Sequence, residues 1–193
     1  LLIIKLDLHR DGRGWFKENW HRHAFVAAGV PDFGPVQNNI SFNEKAGVTR
    51  GLHAEPWDKF VSVATGAVFG AWCDLREGSP TFGATVTQRI EPDTAVFVPR
   101  GVANGFQALH DATSYTYLVN DHYSPDADYT SVNLDMIDWP LEPSEISDKD
   151  RQHPQLADTT PMPPRKILVT GANGQLGRAL RSIVHDRTCL LYT

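Results

Sequence analysis

The stretch RGLHAEPWDK, residues 50–59, brings together side chains that could carry out proton-transfer chemistry. It holds Arg50, His53 and Lys59 between two segments typical of β-strands. An imidazole titrates near neutral pH, so His53 could be a base, a metal ligand or a histidine satisfied in the core. A metal site would need two or three further ligands at close spacing, and the sequence offers only Glu55 nearby. We therefore expect no metal at His53, and the base and the core residue remain as alternatives.

Tyr117, in the stretch TSYTYLVND, completes a set of side chains suited to enolate chemistry. Removing a proton α to a ketone requires a base, a cation or donor near the carbonyl oxygen, and an acid on the opposite face. His53, Lys59 and Tyr117 supply these three roles if the fold brings them into one interior.

Short apolar runs separated by turn signals dominate the chain up to about residue 139. KFVSVATGAVFGAWCDL predicts two paired strands with a turn at Thr65 and Gly66. Strands at such short, regular spacing, without long helical patterns between them, favour an antiparallel sandwich or barrel. A barrel of modest size leaves room for one ligand among its inward side chains.

Composition and charge narrow the class of protein. A chain of 193 residues with 41% apolar content can bury one substantial core, or one domain plus a fragment of a second. The net charge of −5 argues against a nucleic-acid surface. Cys73 and Cys189 are too few for a disulfide framework, and no apolar run is long enough to span a bilayer. The sequence predicts a cytoplasmic protein without a nucleic-acid or membrane partner.

The last part of the chain has a different pattern. Residues 156–165 are rich in proline and are predicted to be a linker. KILVTGANGQLGRALRSIV then has the order of strand, glycine loop and helix, with glycines at Gly171, Gly174 and Gly177. This order suits a dinucleotide pyrophosphate, because glycines let the backbone approach and the helix N-terminus attracts negative charge. Residues 166–193 are therefore predicted to be the incomplete, Rossmann-like start of an NAD(P)-binding domain.

Seven motifs occur in the same order and near the same spacing as in dTDP-4-dehydrorhamnose 3,5-epimerases. They are DGRGWFKENW, VQNNISF, VTRGLHAEPWDKFVSVATG, DLREGSPTFG, VFVPRGVANGF, SYTYLVNDHYSP and SDKDRQHP. The resemblance covers roughly residues 7–155. It implies a mainly β, cupin-type jelly roll over residues 1–155, a homodimer, no metal or other cofactor, and a dTDP-sugar substrate.

The activity implied by this resemblance is epimerisation of dTDP-4-dehydro-6-deoxy-D-glucose at C3 and C5, a step in making dTDP-L-rhamnose. The tail KILVTGANGQLGRAL resembles the opening of dTDP-4-dehydrorhamnose reductase, which consumes the epimerase product. That second resemblance implies a bifunctional full-length protein whose missing half uses NAD(P)H.

The resemblance also assigns catalytic roles. It places the base on His53 and the carboxylate partner of that base on Asp150, which alone would be interpreted as a solvated loop residue. A carboxylate bonded to one ring nitrogen fixes the tautomer and raises the basicity of the other nitrogen. The acid falls on Tyr117, with Tyr115 on the same predicted face as the competing assignment, and the cation that stabilises the enolate falls on Lys59.

Contacts to the sugar nucleotide are implied at five further polar residues. Arginine suits this task because its planar fork can bind phosphate oxygens through two parallel hydrogen bonds. The residues that resemble family contacts are Arg13, Glu18, Gln37, Asn39 and Arg50.

The chain departs from the family at Asn104, where most members have the histidine of A-H-G-F. Asparagine can donate a hydrogen bond to a sugar or enolate oxygen but does not titrate near neutral pH. Two alternatives to the double epimerase follow. One is a single-centre epimerase or isomerase of another deoxysugar nucleotide, and the other is a sugar-binding cupin without catalytic activity.

Overall fold

The structure, a computed structural model, describes residues 1–171, 173–183 and 188–192. The strands are β1 (Leu2–Lys5), β2 (His9–Asp11), β3 (Gly14–Phe16), β4 (Gln37–Asn43), β5 (Thr49–Ala54), β6 (Lys59–Thr65), β7 (Val68–Asp74), β8 (Thr85–Ile90), β9 (Thr94–Val98), β10 (Val102–Ala108), β11 (Thr113–Val119), β12 (Thr130–Ser131), β13 (Arg165–Val169) and β14 (Thr188–Tyr192). The helices are α1 (Arg22–Ala27), α2 (Asp148–Arg151) and α3 (Gln175–Ile183). Within the described parts of the chain, none of these helices has the length and apolar character needed to cross a membrane.

Two five-stranded sheets form the body of the protein. The first has the strand order β1-β9-β6-β11-β4 and the second the order β12-β5-β10-β7-β8. Side chains from both sheets form one core cluster, in which the rings of Phe106 and Tyr115 stack with their centres 4.1 Å apart. Strands distant in sequence are neighbours in both sheets, as a jelly roll requires. The predicted mainly β, cupin-type fold is confirmed.

Strand β6 shows why the predicted strands are so apolar. It lies between β9 and β11, with Val61 and Val63 facing the core between the sheets. Phe60 points to the other side, where its ring lies 5.0 Å from that of Trp20 and 5.4 Å from that of Phe25 on α1. A strand covered on both faces needs apolar residues at nearly every position.

The predicted pairing of the strands on either side of Thr65 and Gly66 is wrong. Strand β6 pairs with β9 and β11 in the first sheet, whereas β7 pairs with β8 and β10 in the second. Gly66 has a φ of +74°, in the left-handed region, so the chain turns there and crosses between the sheets. Alternation in the sequence identifies a strand, but packing over long distances chooses its partner.

The segment predicted to be a linker lies against the second sheet. Met162 is buried in a cluster with side chains of that sheet, and its N–H donates to the carbonyl of Leu75 at 2.7 Å. The guanidinium of Arg100 donates to the carbonyl of Pro163, also at 2.7 Å. Residues 156–165 are therefore held by the barrel at least as far as Pro163.

Beyond this segment, the chain forms a strand, a glycine turn, a helix and a second strand. Strands β13 and β14 are parallel, and α3 lies between them in sequence. The N–H of Gly174 donates to the carbonyl of Gly171 at 3.0 Å, which closes the turn before α3. The local order matches the sequence expectation, and its assignment to a dinucleotide-binding domain stays a prediction.

Gly51 allows a close approach of β5 to β10. Its φ is +123°, and an added Cβ would lie 2.5 Å from the Cα of Gly105. We expect Gly51→Ala to lower the free energy of unfolding by about 1–3 kcal/mol from the backbone conformation alone, with a further cost from the clash. Thermal and urea unfolding would measure the change.

Gly78→Ala is the matched control for this substitution. Gly78 also has a positive φ, +67°, but an added Cβ would meet nothing within 4 Å. The control variant should lose only about 1 kcal/mol. An equal loss in both variants would contradict the importance of the close approach at Gly51.

Candidate active site

A cavity of about 390 Å³ opens at one edge of the two-sheet body. Its walls come from β4 and β11 of the first sheet, and from β5 and β12 of the second. The edge strands β4 and β12 leave the body open here, so polar side chains can point into a space that a ligand can enter. The lining residues include Gln37, Asn39, His53, Glu55, Tyr117 and His153.

His53 and Asp150 form a hydrogen-bonded pair at the wall of this cavity. The Nε2 of His53 lies 2.8 Å from the Oδ1 of Asp150. The other carboxylate oxygen, Oδ2, accepts the N–H of Gly51 at 3.0 Å. Asp150 lies in the first turn of α2, where its own N–H donates to the Oγ of the N-cap Ser147. The helix cap and the strand backbone thus fix the carboxylate, which leaves Nδ1 of His53 to exchange a proton.

The electrostatics of Asp150 favour a permanent negative charge. Burial raises the pKa of this carboxyl, but hydrogen bonds from His53 and from the N–H of Gly51 outweigh the burial and bring the pKa down to about 2. The side chain of Asp150 is only 6% exposed, against 36% for that of His53. An ionised carboxylate in this position stabilises a proton on the imidazole and holds one tautomer of the neutral ring.

The two competing tyrosines have different surroundings. Tyr117 lines the cavity, and burial together with the charge of Glu55 raises its pKa, so its hydroxyl keeps its proton at neutral pH. Tyr115 is 1% exposed, is not among the residues lining the cavity, and donates its hydroxyl to the Oδ1 of Asn104 at 3.1 Å. Of the two, Tyr117 is the tyrosine placed to give a proton to a molecule in the cavity.

Lys59 is not among the described residues that line the cavity. It is buried and forms an ion pair with Glu55, a cavity residue to which sequence reasoning gave no role. The Nζ of Lys59 is 5.7 Å from the ring centre of Tyr117, within the range of a cation–π interaction. The ammonium group of Lys59 therefore lies beside Glu55 and the ring of Tyr117, where the two opposite charges offset each other. The signal in the sequence was the presence of Glu55 only two positions after His53.

Three of the predicted substrate contacts lie beside His53. Gln37 and Asn39 line the cavity from β4, and the Nε2 of Gln37 donates to the Oδ1 of Asn39 at 2.8 Å. Arg50 is found in a neighbouring cavity of about 360 Å³, which it shares with His53 and Lys149. Two cationic side chains, Arg50 and Lys149, thus line the same cavity as His53.

Arg13 and Glu18 are not brought to this cavity by the described part of the chain. Arg13 lies on the β2–β3 hairpin, is exposed, and is held by the carboxylate of Asp11. Glu18 lines a separate cleft of about 170 Å³ that also involves Lys5. Their roles as nucleotide contacts stay predictions.

Asn104 is buried inside the body and is not among the residues that line the cavity. Its Oδ1 accepts hydrogen bonds from the indole N–H of Trp72 at 2.9 Å and from the hydroxyl of Tyr115. The amide oxygen is therefore used to satisfy two buried donors, which would otherwise be costly to bury. The predicted contact between Asn104 and substrate has no direct support in this arrangement.

His153 is a second site residue that the sequence did not reveal. It is buried, it lines the cavity, and its ring centre lies 5.0 Å from that of His53. The possible ligand atoms of His53, Asp150 and His153 lie within 4.8 Å of one another, close enough to hold a cation. Asp150 and His153 lie about 100 positions downstream of His53, so the spacing of residues in the sequence did not reveal this cluster. The expectation of a metal-free site stays a prediction.

The three glycines of the tail have the local features of a phosphate loop. Gly171 has a φ of +68°, and a Cβ on Gly174 would lie 3.3 Å from the carbonyl oxygen of Gly171. Gly177 is buried within the first part of α3. A tight turn and a bare backbone before a helix fit the approach of a pyrophosphate. Binding of NAD(P)H at this loop stays a prediction.

Comparison with known proteins agrees with the mainly β fold. Residues 1–158 match the family dTDP-4-dehydrorhamnose 3,5-epimerase. The enzyme of that name from Pseudomonas aeruginosa is 36% identical over 172 residues, covering 84% of this chain and 94% of the relative. RmlC from Streptococcus suis, solved with dTDP-D-xylose, is 46% identical with a TM-score of 0.77, covering 83% and 88% of the two chains. ChmJ from Streptomyces bikiniensis, a 3'-monoepimerase solved with dTDP-quinovose, is 31% identical with a TM-score of 0.73, covering 80% and 83%. With its two-sheet body and its match over residues 1–158, the chain belongs to the dTDP-4-dehydrorhamnose 3,5-epimerase family.

Proposed function

We propose that this chain epimerises dTDP-4-dehydro-6-deoxy-D-glucose at C3 and C5, giving dTDP-4-dehydro-L-rhamnose for dTDP-L-rhamnose biosynthesis. The observation that carries the proposal is the His53–Asp150 pair on the wall of a cavity that also presents Tyr117. Inversion of a carbon α to a ketone needs one group to remove a proton and another to return one from the opposite face. The cavity supplies both groups.

In the proposed mechanism, Nδ1 of His53 takes the proton from the carbon next to the C4 ketone. The electron pair of the broken C–H bond moves into the enolate, and Asp150 stabilises the imidazolium that forms. Tyr117 then gives its hydroxyl proton to the carbon from the opposite face, and the C4 ketone is restored. The resulting phenolate regains a proton and His53 loses one, so that the same steps can follow at the second carbon.

Lys59 supports the charge that develops in this mechanism. It forms an ion pair with Glu55 near the ring of Tyr117, where its positive charge offsets the carboxylate charge that would oppose the enolate and the tyrosine phenolate. Because Lys59 is almost fully buried, water screens this charge only weakly. We propose that Lys59 acts electrostatically on the site rather than as the acid or the base.

The polar and aromatic walls of the cavity support binding of a sugar nucleotide. Gln37 and Asn39 can form hydrogen bonds with sugar hydroxyls, and Arg50 with Lys149 can meet the diphosphate. Trp57 and Tyr129 also line the cavity, with their rings in edge-to-face contact 5.7 Å apart. Such rings offer an apolar surface for one face of a sugar or a base.

We further propose a homodimer. Ile40 and Phe42 are exposed on β4, the edge strand of the first sheet, and Phe16 is exposed on the β2–β3 hairpin. Exposed edge strands and grouped apolar side chains are typical of surfaces that a partner covers. The cytoplasmic location, the bifunctional full-length protein and its use of NAD(P)H remain part of the proposal, resting on the sequence patterns alone.

Proton NMR in D₂O tests the proposed function directly. The chain is incubated with dTDP-4-dehydro-6-deoxy-D-glucose without any nicotinamide cofactor, beside a sample without protein that measures spontaneous exchange. We expect deuterium at both C3 and C5, together with the spectrum of the inverted sugar. Deuterium at one carbon only would favour the single-centre epimerase, and exchange no faster than without protein would favour the sugar-binding cupin.

A further inference from the structure

His153 has no role in the proposed mechanism, yet it lies against both members of the catalytic pair. Its ring meets that of His53 edge to face, with an angle of 82° between the ring planes. Its Nε2 lies 3.7 Å from the Oδ1 of Asp150, beyond hydrogen-bonding distance. Neither ring nitrogen of His153 has a partner at good hydrogen-bond geometry among the described residues. A buried polar ring left without partners is costly, so its presence calls for a physical reason.

We propose that His153 is a positioning residue, whose uncharged ring closes the inner wall of the site and holds His53 with its Nε2 facing Asp150. This inference rests on the proposed function, in which His53 is the base. The contact between the two rings restricts rotation of the His53 ring, and the buried position of His153 keeps water away from the carboxylate. A charge-assisted hydrogen bond is stronger where water is excluded.

Burial, together with nearby positive charge, favours the neutral ring of His153. The titratable groups that face it are His53, Asp150 and Lys149. Burial lowers the pKa of His153, and positive charges on His53 and Lys149 lower it further, which outweighs the opposite effects of Asp150 and the backbone of Gly51. A neutral His153 does not compete with the imidazolium of His53 for the ion pair with Asp150.

Two substitutions distinguish the role of the His153 ring from the role of its nitrogen atoms. His153→Phe keeps an uncharged ring but removes both nitrogens, whereas His153→Ala removes the ring and admits water. We expect His153→Ala to lower the kcat of deuterium entry about tenfold or more with little change in KM, because a misplaced base slows proton transfer. His153→Phe should stay within about threefold of the parent kcat. All assays contain EDTA, so that no cation bridges the three side chains.

Nitrogen-15 NMR of the histidine rings gives a readout that is independent of catalysis. In the parent protein and in His153→Phe, we expect His53 to be a single tautomer protonated at Nε2. In His153→Ala, the signals of the two His53 nitrogens should move towards each other as the tautomers mix. A purely structural role would lower the melting temperature of His153→Ala but leave the tautomer of the folded protein unchanged.

Two results would overturn the proposal. One is a His153→Ala protein with the parent kcat and the parent tautomer. The other is a His153→Phe protein as impaired as His153→Ala, since the nitrogens and not the ring would then matter, as they would for a bound cation. A parent protein without deuterium exchange, but with a tautomer that depends on His153, would support the positioning role and contradict the proposed function.

Discussion

His53→Ala is expected to abolish deuterium entry at both C3 and C5 of dTDP-4-dehydro-6-deoxy-D-glucose. The variant lacks the only group that the proposed mechanism uses to remove protons, and general base catalysis contributes about 10²- to 10⁴-fold. Binding of dTDP should persist, because the proposed nucleotide contacts do not include His53. Proton NMR in D₂O measures the exchange, and calorimetry measures the binding.

His23→Ala is the matched control for this loss. His23 is an exposed histidine on α1, and the cleft it lines is separate from the cavity of His53. The control should exchange at the parent rate. Retained exchange in His53→Ala, at either carbon, would exclude His53 as the base at that carbon.

Tyr117→Phe is expected to retain deuterium exchange but to lose most of the inversion at carbon. Without the tyrosine hydroxyl, His53 still removes a proton, but solvent deuterium can return only from the side on which His53 lies. The substrate should therefore gain deuterium with its configuration retained, while formation of the inverted product falls about 10²- to 10⁴-fold. Proton NMR distinguishes the two species by their ring couplings.

Tyr115→Phe is the natural comparison, because the sequence left the two tyrosines as competing acids. The hydroxyl of Tyr115 is bonded to Asn104 inside the body, so its removal should cost about 1 kcal/mol of stability and leave epimerisation within a few-fold of the parent rate. The reverse pattern, in which Tyr115→Phe loses inversion and Tyr117→Phe does not, would assign the role of the acid to Tyr115.

The fold was predictable in its elements but not in all of its pairings. Alternation marks Val61 and Val63 as one face of a strand, and the structure places both in the core between the sheets. The same pattern could not show that the next strand belongs to the other sheet, because alternation is identical whichever neighbour a strand has. The same reason explains why the sequence did not reveal that Met162, in the predicted linker, is buried. Proline content indicates the local conformation of a segment but not which surface the segment packs against.

The residues of the candidate site, like the strand pairings, were predictable only in part. The sequence by itself identified His53, Lys59 and Tyr117 as a set for enolate chemistry, because the ionisation of a side chain is a property of its type. The family resemblance added Asp150, which composition alone would have placed in a solvated loop.

Only the tertiary structure decided what these groups contact. It placed Tyr117 rather than Tyr115 at the cavity, put Lys59 in an ion pair with Glu55, and turned Asn104 inward to Trp72. It also brought His153 against His53 from 100 positions downstream. The chemical capacity of a side chain is local, whereas its partners depend on burial and on contacts between strands and loops that are distant in sequence.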